Sequence, residues 1–128
     1  MLENKLYTIN SMEIADGGLT AQLTIDPNHE IFVGHFPGQP VTPGVCMMQI
    51  IKELVETSTS TRTQLLKADE MKFLSIIDPR NDGYITASIK YAIEDDKITV
   101  NASLSRDTVT NFKFKGSFLV QACPSSTN

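Results

Sequence analysis

The second half of the chain alternates apolar and polar residues over three successive stretches. The alternation is clearest near the end, where Phe112, Phe114 and Phe118 share one parity and Lys113 and Lys115 lie between them. A β-strand turns successive side chains to opposite faces, so this period of two is typical of strands with one buried face. Three such stretches separated by short polar turns predict an antiparallel sheet.

We expect six strands in all, because similar signals occur in the first quarter of the chain. The first strand is predicted from Leu6 to Ala15 and the second across residues 19–25, with a hairpin turn at Asp16-Gly17-Gly18. The third is predicted from Gln64 to Ile77. The last three carry these alternating sets: Ile85, Ala87, Ile89, Tyr91 and Ile93; Ile98, Val100, Ala102 and Leu104; Phe112, Phe114, Gly116, Phe118 and Val120. Turns are expected at 78–83, 94–97 and 106–108.

One helix is predicted between the second and third strands, from about Pro43 to Thr57. Threonine caps helices and proline suits the first helical position, so Thr42-Pro43 can begin it. Helical spacing predicts a buried face made of Met47, Ile50, Ile51, Leu54 and Val55, and a polar side made of Gln49, Lys52, Glu53 and Glu56. Since no βαβ alternation occurs, we expect an α+β fold in which one sheet packs on one helix.

Length and charge exclude several classes of function. The 128 residues predict a single domain over 1–128, with residues from about 121 to 128 as a flexible tail. The net charge is −4 and no basic run occurs, so nucleic acid is not an expected partner. No stretch approaches the roughly 20 apolar residues of a membrane span, and the first residues do not have the pattern of a secretory signal. We therefore expect a cytoplasmic protein.

The two cysteines, Cys46 and Cys123, have no spacing typical of metal ligands. We interpret both as reduced, buried side chains, which is the usual state of free cysteines. No metal site is expected from the sequence.

The segment from Gly34 to Val45 concentrates the residues that could carry chemistry. It holds three of the six prolines, three of the seven glycines and one of the two histidines. Proline fixes φ, so the loop should present His35 rigidly and then lead into the predicted helix, whose first amides lack intrahelical partners. His35 is a candidate for chemistry or a structural loop histidine, and Gly44 places a free amide in the first helical turn or serves as a packing glycine.

The sequence His35-Phe36-Pro37-Gly38-x-Pro40-Val41-x-Pro43-Gly44-Val45 closely resembles the signature of the β-hydroxyacyl-acyl-carrier-protein dehydratases. The preceding Gly34 and the later Lys72-Phe73-Leu74-x-x-Ile77-x-Pro79 resemble the same family. The resemblance implies a hotdog fold, in which a curved antiparallel sheet of about six strands wraps around a central helix. It also implies a homodimer whose sites form at the subunit interface, and no cofactor or metal.

The resemblance also implies roles for individual residues. His35 would remove the proton α to the thioester carbonyl, and the Gly44 amide would hold the carbonyl oxygen. The other substrate contacts would be Val45, Phe36, Pro43 and Met48. From its chemistry alone, either methionine, Met47 or Met48, could line an acyl tunnel or fill the core.

Gln49 departs from the family pattern. The family places a carboxylate four or five residues after the Pro-Gly pair, and an amide cannot donate that proton. The leading interpretation is a dehydratase that forms a trans-2-enoyl thioester, with His35 and Gln49 in the catalytic site. The alternatives are a thioesterase in which Gln49 orients water, and a non-catalytic acyl-binding subunit. Glu53 is an unfavoured substitute because it lies one helical turn, about 5.4 Å, further on.

The implied substrate is a thioester of an acyl-carrier protein or of coenzyme A. Carrier proteins are acidic, so a basic patch should receive one. Candidates for that patch are Lys67, Lys72, Arg80, Lys113 and Lys115. Cations spaced in this way are also typical of a solvated sheet face.

Overall fold

Six strands and one helix account for nearly all of the residues that the computed structural model describes, which are 6–26, 44–75, 84–106 and 108–121. The elements are β1 Tyr7–Ala15, β2 Gly18–Ile25, α1 Gly44–Thr59, β3 Arg62–Phe73, β4 Tyr84–Glu94, β5 Lys97–Arg106 and β6 Val109–Gln121. Two strands, one helix and four strands follow one another as the sequence predicts.

The strands form one antiparallel sheet in the order β1-β2-β4-β5-β6-β3. The chain leaves β2 near one edge, passes through the helix and returns as β3 at the opposite edge. The sheet curves around α1, so the expected hotdog fold is confirmed. Its register places the alternating apolar residues of neighbouring strands side by side, for example Ile89 beside Ala102 and Ala102 beside Phe114.

The core lies between the helix and the concave face of the sheet. Ile50, Ile51, Leu54 and Val55 are completely buried, which confirms the predicted apolar face of the helix. From the sheet, the phenylalanines of β6 (Phe112, Phe114 and Phe118) are equally buried. Each such side chain contributes about 1.5–3 kcal/mol through removal from water, so this face holds the helix in place.

Helix α1 ends at Thr59, two residues later than the spacing predicts. The Thr59 hydroxyl donates to the Val55 carbonyl at 2.8 Å, which satisfies an acceptor inside the last turn. Ser60 follows with a φ of 55°, and the Thr61 amide donates to the Glu56 carbonyl at 3.1 Å. This is the Schellman ending, with serine at the position that glycine usually occupies.

Strand β3 is shifted from its predicted bounds of Gln64–Ile77. It begins at Arg62, where Glu56 Oε2 accepts hydrogen bonds from the Thr63 amide at 2.6 Å and its hydroxyl at 3.1 Å. It ends at Phe73, because the amides of Leu74 and Ser75 both donate to the Asn111 carbonyl and no longer follow the ladder. Residues 76 and 77 lie outside the described part of the chain.

Two predicted turns are confirmed. Gly17, with a φ of 79°, lies in the β1–β2 hairpin, and Asp95, with a φ of 55°, lies in the β4–β5 hairpin. Positive φ costs glycine little and is tolerated by aspartate in tight turns. Gln121, where the tail is predicted to begin, is the last residue of β6. The rest of the predicted tail, the predicted turn at 78–83 and Asp107 in the third turn lie outside the described residues.

Candidate active site

A polar cluster on the central helix joins Gln49, the position where the family resemblance places its acid, to Glu53 one helical turn further along. The Gln49 amide nitrogen Nε2 donates to Glu53 Oε2 at 2.9 Å. The Tyr7 hydroxyl, at the start of β1, donates to the other carboxylate oxygen, Glu53 Oε1, also at 2.9 Å. Three side chains from two elements are thereby joined into one network, which we call the Tyr7–Glu53–Gln49 cluster.

The burial of Glu53 contradicts its predicted place on the polar side of the helix. Only 1% of the residue is exposed, whereas Gln49, Lys52 and Glu56 are half-buried. A buried carboxylate is costly unless donors satisfy it, and the contacts from Tyr7 and Gln49 do so here. The helical period alone placed Glu53 with its polar neighbours, but Tyr7 from the first strand reaches it and hydrogen-bonds its carboxyl group.

The first predicted site residues lie at or beyond the edge of the described chain. His35, Phe36 and Pro43 lie outside it. Gly44 is the first residue of α1, so its amide belongs to the first turn, whose N–H groups lack intrahelical acceptors. Val45 follows in the same turn, and its side chain lies outside the description.

The sulfur-containing residues that follow are oriented towards the interior. Met47 is 4% exposed and belongs to the core, and Met48 is half-buried and packs against that core. Cys46 is a buried free thiol, as predicted, and burial raises its pKa. Cys123 lies outside the described residues.

The candidate basic patch is partly neutralised by neighbouring acids. Lys67 pairs with Asp69 at 3.2 Å and Lys72 with Glu70 at 2.7 Å. The hydrogen bond and charge of Lys72 lower the pKa of Glu70, and the charges of Lys115 and Lys113 lower it further. Lys113 and Lys115 remain exposed on the sheet face opposite the helix. Arg80, the last candidate, lies outside the described residues.

Two grooves lie away from the Tyr7–Glu53–Gln49 cluster. One of about 720 Å³ lies at the C-terminal end of α1 and is lined by polar residues including Lys52, Glu56 and Arg62. A second of about 570 Å³ lies over the outer sheet face near Lys90 and Lys115. Within the described ranges, no cluster of three or more histidine, cysteine or acidic side chains could hold a metal ion.

Strand β3 forms an edge of the sheet and carries an exposed apolar row that extends to Leu74, just beyond the strand. It pairs with β6 on one side only, and no described strand pairs with its other side. Between 39% and 56% of the surface of each large apolar residue in this row is exposed: Leu65, Leu66, Met71, Phe73 and Leu74. A long apolar edge strand is a surface on which another chain can pair.

Tyr7 is the member of the cluster that sequence reasoning missed. It lies 46 residues from Glu53, and its strand shows no distinctive motif. The contact between Gln49 and Glu53 had a usable signal, since side chains four residues apart on a helix are neighbours.

Fold, signature and helix together define a hotdog protein of the β-hydroxyacyl-acyl-carrier-protein dehydratase class. The model of the ApeI-like family, described as ApeI dehydratase, matches residues 11–115, and the chain belongs to this family. Among the described residues, no helix is both long and apolar enough to cross a membrane.

Curated relatives agree with this assignment. The 3-hydroxyacyl-[acyl-carrier-protein] dehydratase FabZ of Rickettsia africae is 33% identical over 87 residues, a match that covers 52% of this chain and 60% of that protein. FabZ of Rickettsia felis is 34% identical over 70 residues, covering 48% of each chain. The chain therefore spans about half the length of these relatives.

A solved structure supports the fold. A chain of the dehydratase heterocomplex ApeI:P from Xenorhabdus doucetiae superposes with a TM-score of 0.71 at 24% identity. The superposition covers 88% of this chain and 96% of that one.

Proposed function

We propose that this protein dehydrates β-hydroxyacyl thioesters to trans-2-enoyl thioesters. The observation that carries the proposal is the dehydratase signature, residues 35–45, which runs directly into the central helix of a hotdog fold. Membership of the ApeI-like family supports the same reaction class. The proposed setting is a single cytoplasmic domain acting in acyl-chain biosynthesis.

His35 is the proposed base. An imidazole with an ordinary pKa near 6.5 is largely neutral at pH 7, so it can accept the proton α to the carbonyl. The Gly44 amide, in the first helical turn, would stabilise the negative charge that develops on the thioester oxygen. Phe36, Pro43, Val45 and Met48 are the remaining proposed substrate contacts.

Gln49 determines how the departing hydroxyl is protonated in the proposed reaction. The departing hydroxyl needs a proton, and an amide cannot supply one. The imidazolium formed at His35 when it takes the α-proton would then give that proton to the hydroxyl, so that one residue serves both transfers. Gln49 would hold the hydroxyl by a hydrogen bond.

The proposed substrate is carried by an acyl-carrier protein or by coenzyme A. Lys113 and Lys115 lie two residues apart on β6, and both are exposed on the outer sheet face. Either carrier presents negative charge to such a surface. The catalysed chemistry does not depend on which carrier is used.

The proposed assembly is a homodimer. The exposed apolar row on β3 lies on an edge strand, where a second copy could continue the sheet and cover the row. In the family arrangement, His35 of one chain would face residue 49 of the other.

Product analysis tests the proposal directly. Purified protein is incubated with a β-hydroxyacyl thioester on each carrier, and the products are separated by mass. Enoyl thioester is the expected product. Release of a free thiol would indicate a thioesterase instead, and saturable binding without any product would indicate a non-catalytic acyl-binding subunit.

A further inference from the structure

Glu53 is a buried carboxylate that the proposed dehydration does not use. It is 1% exposed, and each of its oxygens accepts a hydrogen bond, one from Tyr7 and one from Gln49. Both partners donate to this carboxyl group, the Tyr7 hydroxyl to Oε1 and the Gln49 amide nitrogen Nε2 to Oε2, each at 2.9 Å. This geometry shows which end of the Gln49 amide turns towards Glu53.

The end that turns towards Glu53 is the NH2 group. If the amide were reversed, Gln49 Oε1 would face a carboxylate oxygen, and two acceptors at hydrogen-bonding distance repel each other. The amide carbonyl oxygen therefore points away from Glu53. Within the described part of the chain, the side chain of Gln49 makes one hydrogen bond, to Glu53. The Gln49 side chain is half-buried rather than enclosed.

We propose that Glu53, anchored by Tyr7, is a positioning residue that makes Gln49 present its carbonyl oxygen to the β-substituent of the substrate. An acceptor at this place selects a β-hydroxyl, which can donate a hydrogen bond, over a β-ketone, which cannot. The inference rests on the proposed function for the identity of the ligand, and it adds the basis on which the site recognises the oxidation state of the β-carbon.

The helix provides a matched comparison in Glu56. This second glutamate also accepts hydrogen bonds, from Lys52 and from the amide and hydroxyl of Thr63. Those contacts tie the end of α1 to β3 and do not involve Gln49. Glu56→Gln therefore changes a helical carboxylate without changing the Gln49 amide.

Binding of unreactive analogues tests the inference. In acyl-pantetheine amides nitrogen replaces the thioester sulfur, so the α-proton of the 3-hydroxy amide is too weakly acidic to be removed, and the 3-keto amide has no β-hydroxyl to eliminate. The 3-hydroxy and 3-keto amides of one chain length are titrated calorimetrically into the native protein and the variants, and thermal unfolding checks that each variant is folded. We expect the native protein and Glu56→Gln to bind the hydroxy form about tenfold more tightly, the effect of about one hydrogen bond.

Glu53→Gln should reduce this preference to about one, with a gain in affinity for the ketone. A glutamine at 53 can donate as well as accept, so the Gln49 amide can turn and offer its NH2 group to the ketone oxygen. A merely structural role for Glu53 would weaken both ligands equally. An unchanged preference in Glu53→Gln, or no preference in the native protein, would overturn the inference.

Gln49→Met keeps the inference testable if Glu53→Gln does not fold. Methionine has a similar length but no amide, so the preference should again fall to about one, and a preference that persists would refute the role of Gln49. Enoyl formation from true thioesters is measured separately. Discrimination without enoyl product contradicts only the proposed dehydration, and product without discrimination contradicts only the positioning role.

Discussion

At the scale of single residues, position 49 carries an amide and the carboxylate lies one helical turn deeper, at Glu53. The two side chains are hydrogen-bonded at 2.9 Å. The proposed chemistry therefore differs from a site with an acid at position 49. A substitution can restore an acid at position 49, and Glu53 would then lie within hydrogen-bonding distance of it.

Gln49→Glu should increase the rate of dehydration. Two carboxyl groups at hydrogen-bonding distance cannot both ionise easily, so the pair retains one proton at pH values where a lone carboxyl would be ionised. That proton is available to the leaving hydroxyl, and general acid help is typically worth about 10²–10⁴-fold. Initial rates of enoyl formation between pH 5 and 8 would measure the gain, which should decline as pH rises and the shared proton is lost.

The double variant Gln49→Glu/Glu53→Gln is the control. It keeps a carboxyl at position 49 but removes the second one, so the proton is lost at lower pH and the gain at neutral pH should shrink. Identical pH profiles for the single and double variants would contradict a shared proton.

Cys46 should react slowly with thiol reagents in the folded protein. Burial raises its pKa, so the reactive thiolate forms at a higher pH than it does in an ordinary cysteine. In a Cys123→Ser variant, labelling by an aromatic disulfide at pH 8 should require unfolding, and the folded-state rate should keep rising as pH increases above 9. Rapid labelling of the folded variant at pH 8 would show that Cys46 is accessible.

The residue scale is where sequence reasoning was least complete. Spacing placed Gln49 on the helix, and the family signature identified it as the position of interest. The burial of Glu53 could not be predicted, because it depends on a contact with Tyr7 on the first strand. A contact between residues so far apart in sequence has no local signal, whereas the helical contact between Gln49 and Glu53 does.

At the scale of elements, the end of α1 is set by backbone geometry rather than by composition. The run from Thr57 to Thr61 consists entirely of short polar residues, so the sequence predicted only that the helix would end within it. The structure places the ending at Ser60, which adopts a φ of 55°. A residue with a Cβ is strained at this positive φ, and glycine has no such strain.

Ser60→Gly should therefore stabilise the protein by about 0.5–1 kcal/mol, seen as a rise of about 2–5 °C in the midpoint of thermal unfolding followed by circular dichroism. Thr57→Gly is the matched control, since it introduces glycine at an exposed position in the last turn of the same helix and should destabilise by about 0.3 kcal/mol. The same sign for both substitutions would show that Ser60 is not at the helix ending.

At the scale of the whole molecule, the fold was predictable because its main signals are periodic. Most of the alternating residues of β4, β5 and β6 lie on the buried face, and the apolar stripe of α1 packs against them. Ile93, predicted in the same set, is 55% exposed near the end of β4. The bounds of β3 were predicted less well, since its ends depend on hydrogen bonds that Glu56 accepts at the start of the strand and that the Asn111 carbonyl accepts at its end. Long-range contacts of this kind determine where an element stops, and periodicity determines which type of element it is.

The apolar edge of β3 leads to a prediction about assembly. Leu66→Lys places a charge in the exposed apolar row and should convert the proposed dimer to a monomer in size-exclusion chromatography with light scattering. Ile14→Lys is the control, because Ile14 is 54% exposed on β1 at the opposite edge, and this variant should remain dimeric. A monomeric native protein would exclude a site shared between two copies.

His35 and the central helix of this hotdog domain are proposed to dehydrate a β-hydroxyacyl thioester. The most direct measurement is the rate of enoyl thioester formation by the native protein and by His35→Ala, both shown to be folded. We expect the native protein to form the enoyl product and His35→Ala to lose at least about 10²-fold in rate, because the variant lacks the base. A fully active His35→Ala variant would contradict the account.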